Sequence, residues 1–351
     1  YRAEGEIGRG GMGAVVRVWD TDLERPLAMK VMLGDAPVAA EDTPPAEQRK
    51  LARFLEEAQV TGQLDHPGIV PVHEIGLDED GHVFFTMKLV RGRTLHQVLE
   101  ELARGEGGWT QTRVLGLVLK VCEAMSYAHA KGVIHRDLKP ANVMVGRFGE
   151  VYVMDWGLAR VLAGARPGEE REVGGPVSGV MSLRSQADDE VTPSSLQTLE
   201  GDIMGTPAFM SPEQARGRRS EVGPPTDVYA VGAMLYQLLA GRAPPSVLDR
   251  QGPSARPPVE DPPLHEVAPG TPPELEAICE KAMAFDPAAR YPDMSALAED
   301  LSAYLEGRVV RAYETGAWAE ARKWVRRNKP LAGALAGGLV ALVAGLLSSL
   351  M

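Results

Sequence analysis

The stretch I-H-R-D-L-K-P-A-N-V, residues Ile134 to Val143, places an acid, a cation and an amide at close offsets in one short loop. Asp137 can accept a proton from a hydroxyl nucleophile, Lys139 can neutralise phosphoryl oxygens, and Asn142 can bind a metal ion through its side-chain oxygen. Apolar pairs on both sides predict short strands that hold the loop. A solvated surface turn could have this composition, but the spacing favours phosphoryl-transfer chemistry.

The composition indicates a folded, acidic chain. Its 351 residues are 44% hydrophobic, which suits one large two-lobed domain or two or three smaller ones. Lys and Arg number 37 against 48 Asp and Glu, a net charge of −11, so no nucleic-acid partner is expected. Cys122 and Cys279 are far apart, and this separation argues against a disulfide framework or a zinc site.

A glycine motif lies near the start of the chain, where Gly8, Gly10 and Gly13 form G-x-G-x-x-G. Glycines at these offsets allow a backbone turn to approach phosphate oxygens closely. Dinucleotide-binding folds share the spacing, but there a helix follows the glycines. Here residues 14–18 read A-V-V-R-V, which predicts a strand. The motif therefore predicts a hairpin that covers a nucleotide.

A lysine and a glutamate are the predicted phosphate-binding pair. Lys30 follows Ala28 in an apolar strand, where a solvated lysine is the alternative interpretation. A helix is predicted from about Ala46 to Leu64 by its apolar periodicity. Glu57 lies near the apolar face of this helix and is the candidate partner of Lys30, with Glu56 as its rival.

The strand Val83–Met87 leads to residues 88–92, the predicted hinge between two lobes. Met87 is predicted to close the back of the nucleotide pocket or simply to fill the core.

A second acid completes the predicted site. The strand Val151–Met154 ends at Asp155. A carboxylate at a strand end can share a cation with the amide of the preceding loop, which predicts a magnesium site.

Ordered motifs along the chain carry a family resemblance. They read G-R-G-G-M-G-A-V, A-M-K, E-E-A, H-P-G-I-V, H-R-D-L-K-P-A-N, D-W-G, G-T-P-A-F-M-S-P-E, D-V-Y-A-V-G and D-P-A-A-R-Y. With them, the chain resembles a bacterial eukaryotic-like (Hanks-type) Ser/Thr protein kinase. This implies an α+β fold with two lobes: a small β-rich N-lobe at residues 1–90 and a larger helical C-lobe at 91–306, which contains an activation segment at 155–213.

The resemblance also implies ATP-dependent transfer of a γ-phosphoryl group to Ser or Thr hydroxyls of protein substrates. It implies that Asp137 orients the hydroxyl beside Lys139 and Thr206, that Lys30 contacts the α and β phosphates, and that Glu57 holds Lys30. Mg²⁺, or Mn²⁺, is expected on Asn142 and Asp155. The nucleotide-binding residues implied are Gly8, Gly10, Gly13, Val15, Ala28, Lys30, Met87, Leu89 and Asn142.

This sequence departs from the common kinase pattern at two positions. Trp156 stands where the family has the Phe of D-F-G, and Ser211 where it has the Ala of A-P-E. The change at 211 leaves Glu213 able to pair with Arg290, a structural pair in the family. A helix opening at Asp227 is apolar nearly all round, which predicts burial. Asp227 is expected to bind the backbone of residues 135–142, the catalytic loop.

The segment from Leu158 to Met204 is long and rich in Gly, Ser and Pro, and much of it is predicted to be disordered. A phosphate added near its end could pair with Arg136 and order the loop. The candidate hydroxyls for this autophosphorylation are those of Thr192, Ser194, Ser195 and Thr198.

The C-terminal part of the sequence predicts membrane attachment. Residues 331–351 are uncharged and mostly apolar, long enough for a transmembrane helix, although a buried Ala/Gly-rich helix is an alternative. Residues 307–330 carry a basic cluster, and a juxtamembrane helix is predicted over Val309 to Lys329. A single-pass protein of the inner cell membrane with a cytoplasmic kinase domain is expected, as a segment of a longer chain.

Alternatives to this function come from two other classes. One is a pseudokinase that binds nucleotide or a partner without catalysis, although every required residue is present. The other is a small-molecule kinase with the same two-lobed plan, which Lys139 and the G-T-P-A-F-M-S-P-E segment disfavour. Dimerisation of the kinase domain is a further possible partner interaction.

Overall fold

The computed structural model describes residues 1–11, 13–33, 45–162, 207–246 and 264–313. Within these ranges the chain forms an N-terminal lobe built on a β-sheet and a C-terminal lobe built mainly of helices. This arrangement confirms the predicted two-lobed α+β fold. Thr206 and most of the predicted activation segment lie outside the described residues, as do the four candidate phosphorylation sites.

The N-lobe is a five-stranded antiparallel sheet with the strand order β1-β2-β3-β5-β4. One helix, α1, spans Pro45–Gln63, as its apolar periodicity predicts. The strands are β1 (Arg2–Arg9), β2 (Gly13–Asp20), β3 (Arg25–Met32), β4 (Val72–Leu77) and β5 (Val83–Lys88).

Apolar side chains on one face of this sheet pack against α1. Phe54 of α1 is fully buried and its ring centroid lies 5.1 Å from that of Phe85 on β5. Residue 13 must be glycine for a packing reason, because a Cβ there would lie 2.5 Å from the backbone oxygen of Val31. The predicted glycine hairpin is confirmed as β1 and β2, with Gly10 N–H donating to Gly13 O at 2.9 Å.

The C-lobe is organised around two buried helices, α3 (Gln111–Ala130) and α5 (Pro224–Ala240). The all-round apolar pattern of α5 predicts burial, and the structure confirms it. Gly241 ends α5 in the left-handed conformation with φ 70°. The other helices are α2 (Leu95–Ala103), α4 (Pro212–Ala215), α6 (Leu264–Val267), α7 (Pro273–Ala282) and α8 (Met294–Leu305).

Short strands frame the catalytic loop at the junction of the lobes. One three-stranded sheet has the order β6-β8-β9, and β7 pairs with β10 in a separate antiparallel ladder. The catalytic loop runs from β7 to β8, so strands hold both of its ends, as the flanking apolar pairs predict. These strands are β6 (Gly92–Thr94), β7 (Val133–Ile134), β8 (Val143–Gly146), β9 (Val151–Val153) and β10 (Arg160–Val161).

The prediction of a helix from Val309 onward is wrong for its described part. Residues 309–313 are irregular and pack on the C-lobe, where Val310 is buried. The buried carboxylate of Asp300 accepts the backbone N–H groups of Arg311 and Ala312 at 2.8 and 2.9 Å. These side-chain bonds replace the helical ones, so tertiary contacts override the local helical signal.

The remaining C-terminal predictions concern residues that the structure does not describe. Residues 314–351 contain the rest of the predicted juxtamembrane helix and the whole predicted transmembrane helix. Among the helices of the described ranges, none has the length and hydropathy that crossing a bilayer requires.

Candidate active site

Lys30 on β3 and Glu57 on α1 form a bidentate ion pair. The Lys30 ammonium nitrogen lies 2.6 and 2.7 Å from the two carboxylate oxygens of Glu57. Burial raises the pKa of the Glu57 carboxyl, the Lys30 charge opposes this, and the charge of Asp155 raises it further. The predicted partner of Lys30 is therefore confirmed as Glu57 rather than Glu56, because the helix turns Glu57 inward.

Two polar side chains of the catalytic loop contact the carboxylate of Asp137. Its Oδ2 accepts from the ammonium group of Lys139 at 2.7 Å and from Asn142 Nδ2 at 3.1 Å. Asn142 Nδ2 also donates to the backbone oxygen of Asp137 at 2.8 Å. The carboxylate is thereby oriented at the junction of the lobes, where it can accept a proton from a hydroxyl group.

Asp227, in the first turn of α5, binds the backbone of the catalytic loop. Its carboxylate accepts the backbone N–H groups of His135 and Arg136, each at 2.9 Å, as predicted. It also contacts His129 Nε2 at 2.8 Å, a partner that the sequence pattern does not reveal. Burial alone would raise the pKa of Asp227, but the hydrogen bonds and charges of the two histidines lower it below its ordinary value.

Asp155 follows β9 and has a left-handed backbone with φ 62°. The backbone N–H of Met154 donates to the backbone oxygen of Asn142 at 2.9 Å, which ties the strand end to the catalytic loop. The amide nitrogen of Asn142 faces Asp137, so its side-chain oxygen faces away from that carboxylate. An amide oxygen and a carboxylate are donors that suit Mg²⁺ or Mn²⁺, so the residues fit the expected metal.

Four of the predicted nucleotide-binding residues lie at neighbouring positions on the N-lobe sheet. Val15 pairs with Lys30, and Ala28 pairs with Met87, in the antiparallel register of β2, β3 and β5. Leu89 follows directly after β5 and is half-buried. The sheet therefore places these four strand residues on one face, because alternate residues of a strand share a face.

A contact that the sequence does not predict links the two lobes at the hinge. The Lys88 ammonium at the end of β5 donates to the hydroxyl of Tyr152 on β9 and lies 4.5 Å from the centre of its ring. A cation over a tyrosine ring is attracted by the ring quadrupole. The hinge thus carries its own connection to the C-lobe.

Comparison with known proteins agrees with this geometry. The model of the protein kinase domain matches residues 1–300. The chain belongs to the protein kinase family. It is 36% identical over 324 residues to the serine/threonine-protein kinase PknD of Protochlamydia amoebophila, in a match that covers 88% of this chain and 30% of the relative.

Similar kinases occur in Chlamydia. PknD of Chlamydia caviae is 35% identical over 314 residues, covering 86% of this chain and 30% of the relative. PknD of Chlamydia trachomatis serovar L2b is 35% identical over 320 residues, covering 86% and 31%. The family match and these relatives confirm the predicted class, a serine/threonine-protein kinase domain of bacterial type. The chain spans about three tenths of the length of these curated relatives.

The ion pair between Glu213 and Arg290, which the kinase resemblance predicts, is confirmed. Both terminal guanidinium nitrogens of Arg290 lie 2.8 Å from the Glu213 carboxylate, and both side chains are fully buried. Burial alone would raise the pKa of Glu213, but the hydrogen bonds and charge of Arg290 lower it below its ordinary value. The pair fastens α4 to the body of the C-lobe.

The tryptophan of D-W-G fits the kinase core. The Trp156 side chain is buried, its ring centroid lies 4.7 Å from that of His135, and its indole N–H donates to the backbone oxygen of Val153 at 3.4 Å. The larger ring is thus accommodated beside the catalytic loop.

We expect Trp156→Phe to lower the free energy of unfolding by about 1–2 kcal/mol, because it removes buried ring atoms and the indole hydrogen bond. Phosphoryl transfer should stay within a few-fold of the wild type, since phenylalanine is the usual residue here. Chemical denaturation and a kinase assay on the same preparation check this. A large loss of activity at unchanged stability would contradict it.

Proposed function

We propose that this kinase domain transfers the γ-phosphoryl group of ATP to serine and threonine hydroxyls of proteins. The observation that carries the proposal is the orientation of the Asp137 carboxylate by Lys139 and Asn142 at 2.7 and 3.1 Å. A pseudokinase has no need for an oriented base of this kind. Phosphoryl transfer depends mainly on such positioning and on charge neutralisation.

The residues of the site have separate roles in the proposed reaction. Lys30 binds the α and β phosphates, and Glu57 keeps its ammonium group aimed at them. Asn142 and Asp155 would hold Mg²⁺ or Mn²⁺, which supplies positive charge to the phosphate oxygens when bound. Asp137 orients the substrate hydroxyl and accepts its proton, while Lys139 neutralises charge on the transferred group.

The proposal of a protein substrate rests on the region around α4. The buried Glu213–Arg290 pair and the contact of Gln214 Nε2 with the backbone oxygen of Arg136 at 2.7 Å fasten α4 beside the catalytic loop. A fixed platform next to the catalytic carboxylate suits an extended peptide better than a small molecule. Thr206, proposed to bind Asp137 and Lys139, immediately precedes the described part of this region.

We also propose autophosphorylation in the activation segment. Arg136 donates from Nε to the backbone oxygen of Leu158 and from a terminal nitrogen to that of Ala159 at 3.2 Å. Its guanidinium group therefore already contacts the start of that segment. A phosphate on one of the candidate hydroxyls would add a negatively charged partner for this guanidinium group. Those candidates are Thr192, Ser194, Ser195 and Thr198.

Membrane attachment through residues 331–351 completes the proposal, with the basic cluster before it on the cytoplasmic side of the inner membrane. The uncharged, mostly apolar composition of all the residues after Pro330 supports a spanning helix. Kinase domains held in one membrane would meet at high effective concentration, which supports a dimer that phosphorylates in trans.

The test is incubation of the purified chain with ATP and Mg²⁺, with and without a general protein substrate, followed by mass spectrometry of both. We expect phosphoserine or phosphothreonine on the substrate and within residues 158–206. Omission of the metal should abolish both signals. ATP binding without any phosphate transfer would instead indicate a pseudokinase, and transfer to small molecules alone would indicate a small-molecule kinase.

A further inference from the structure

The residue before the catalytic aspartate has an unfavourable backbone conformation. Arg136 has φ 67°, in the left-handed region, where a residue with a β-carbon costs about 1–2 kcal/mol. The peptide groups on both sides of Arg136 must therefore be held by their surroundings. The peptide before it is held by Asp227, which accepts the His135 and Arg136 N–H groups.

Gln214 holds the peptide group on the other side. Its Nε2 donates to the backbone oxygen of Arg136 at 2.7 Å, in the peptide that joins Arg136 to Asp137. The N–H of that same peptide faces His135 Nδ1 at 3.3 Å. The oxygen of the peptide group between Arg136 and Asp137 is thus held by Gln214, which lies 78 positions away from Arg136 in the chain.

The amide of Gln214 can satisfy these contacts in one orientation. Its Oε1 accepts the backbone N–H of Ser211 at 3.3 Å and the Ser211 hydroxyl at 3.0 Å. An N–H donor requires an oxygen and the Arg136 carbonyl requires a nitrogen, so a flipped amide would lose both bonds. Ser211 is fully buried, which places the network away from competing water.

Gln214 also lies on a rigid element. It is the third residue of α4, and its neighbour Glu213 forms the buried ion pair with Arg290. A movement of α4 would therefore be transmitted through the Gln214 amide to the peptide before Asp137. Serine at position 211, where alanine is usual in kinases, adds a hydroxyl bond that orients this amide.

We propose that Gln214 is a positioning residue that couples the α4 platform to the catalytic loop and keeps Arg136 in its left-handed conformation. The proposal rests on the proposed kinase function, because it assigns a role in the same reaction. Gln214 does not touch the reacting atoms. It acts on the orientation of Asp137, so its loss affects the chemical step rather than nucleotide binding.

The test compares Gln214→Glu with Gln97→Glu. Glutamate at 214 keeps the shape and the acceptor for Ser211 but loses the donor to the Arg136 oxygen. Gln97 is a matched control, because it too is the third residue of a helix, α2, and its side-chain oxygen accepts the backbone N–H of the N-cap residue, Thr94, at 2.9 Å. Unlike Gln214, Gln97 is exposed. Gln214→Leu, which loses all three hydrogen bonds of the amide at similar side-chain size, is a second variant.

We expect both Gln214 variants to lower kcat about 10- to 100-fold, since a misplacement of about 1 Å has this effect, with KM for ATP within about twofold. Gln97→Glu should leave kcat within about twofold of the wild type. A kcat that stays in that range in the Gln214 variants overturns the proposal. Parallel loss of ATP affinity and thermal stability also overturns it, because that result indicates a structural role alone.

Hydrogen exchange separates this proposal from the proposed kinase function. The backbone N–H groups of residues 135–142 should exchange faster in both Gln214 variants and at the wild-type rate in Gln97→Glu, whether or not the wild type transfers phosphate. Unchanged exchange in this loop overturns the role of Gln214. An inactive wild type with faster exchange in the variants overturns the proposed activity and leaves the positioning role supported.

Discussion

Replacing Asp137 by asparagine is expected to lower kcat for phosphoryl transfer by about 100- to 10,000-fold, the usual contribution of a positioned general base. Asparagine cannot accept the proton of a substrate hydroxyl. It can still present an oxygen to Lys139, which lies 2.7 Å from the aspartate oxygen, so the loop should keep its arrangement. Affinity for ATP is therefore expected to change little.

The measurement is the rate of phosphate incorporation into a protein substrate at saturating ATP, together with nucleotide binding by calorimetry. Asp293→Asn is the control, because Asp293 is an exposed N-cap of α8 and asparagine caps a helix equally well. Full activity in the Asp137 variant would show that another group accepts the proton. Loss of ATP binding in that variant would show that the loop has collapsed.

Replacing Arg290 by methionine is expected to lower the free energy of unfolding by about 3–5 kcal/mol, because it leaves the buried Glu213 carboxylate without its cation. Arg290 also donates to the backbone oxygens of Ala284 and Pro225 at 2.7 and 2.9 Å, and these acceptors lose their donor as well. Chemical denaturation of the variant and the wild type measures the difference.

An exposed ion pair nearby provides the comparison. Arg218 and Glu221 lie 3.2 Å apart with side chains about half exposed, so Arg218→Met should cost less than about 1 kcal/mol. Equal effects of the two substitutions would contradict the role assigned to the buried pair. The double variant Glu213→Met, Arg290→Met should recover much of the loss, because no buried charge then remains unpaired.

The pH dependence of stability has a defined sign for this pair. The pKa of Glu213 is lower in the folded protein than its ordinary value. The contribution of Glu213 to the free energy of unfolding is therefore complete at pH values above its unfolded pKa of about 4.3. This contribution is lost as the pH falls through the lower pKa of the folded protein. Arg290→Met should show a weaker decline of stability over this acidic range than the wild type.

Helices α1 and α5, several strands and the charged groups of the site could be predicted from the sequence. Helix α1 and its inward Glu57 follow from apolar periodicity, and the loop around Asp137 follows from its flanking strand signals. Such patterns report local conformation, which depends on residues within a few positions of one another. Family motifs supplied the roles of residues whose chemistry alone left alternatives, as for Lys30.

Contacts between distant residues could not be read in the same way. His129 on Asp227 and Tyr152 beside Lys88 are ordinary residues in sequence and become partners only when the chain folds. The predicted helix from Val309 fails in its first residues for a related reason, because a distant carboxylate, that of Asp300, binds the backbone there. Side-chain contacts of this kind compete with local propensity and override it.

The sequence by itself determined the family, the two-lobed plan and the identity of the phosphoryl-transfer groups, because these depend on residue types at short spacings. The tertiary structure decided how those groups are aimed. The hydrogen bond from Gln214 to the Arg136 oxygen joins residues far apart in the chain and holds a backbone conformation that Arg136 does not prefer alone. Only packing of α4 against the C-lobe brings these two residues together.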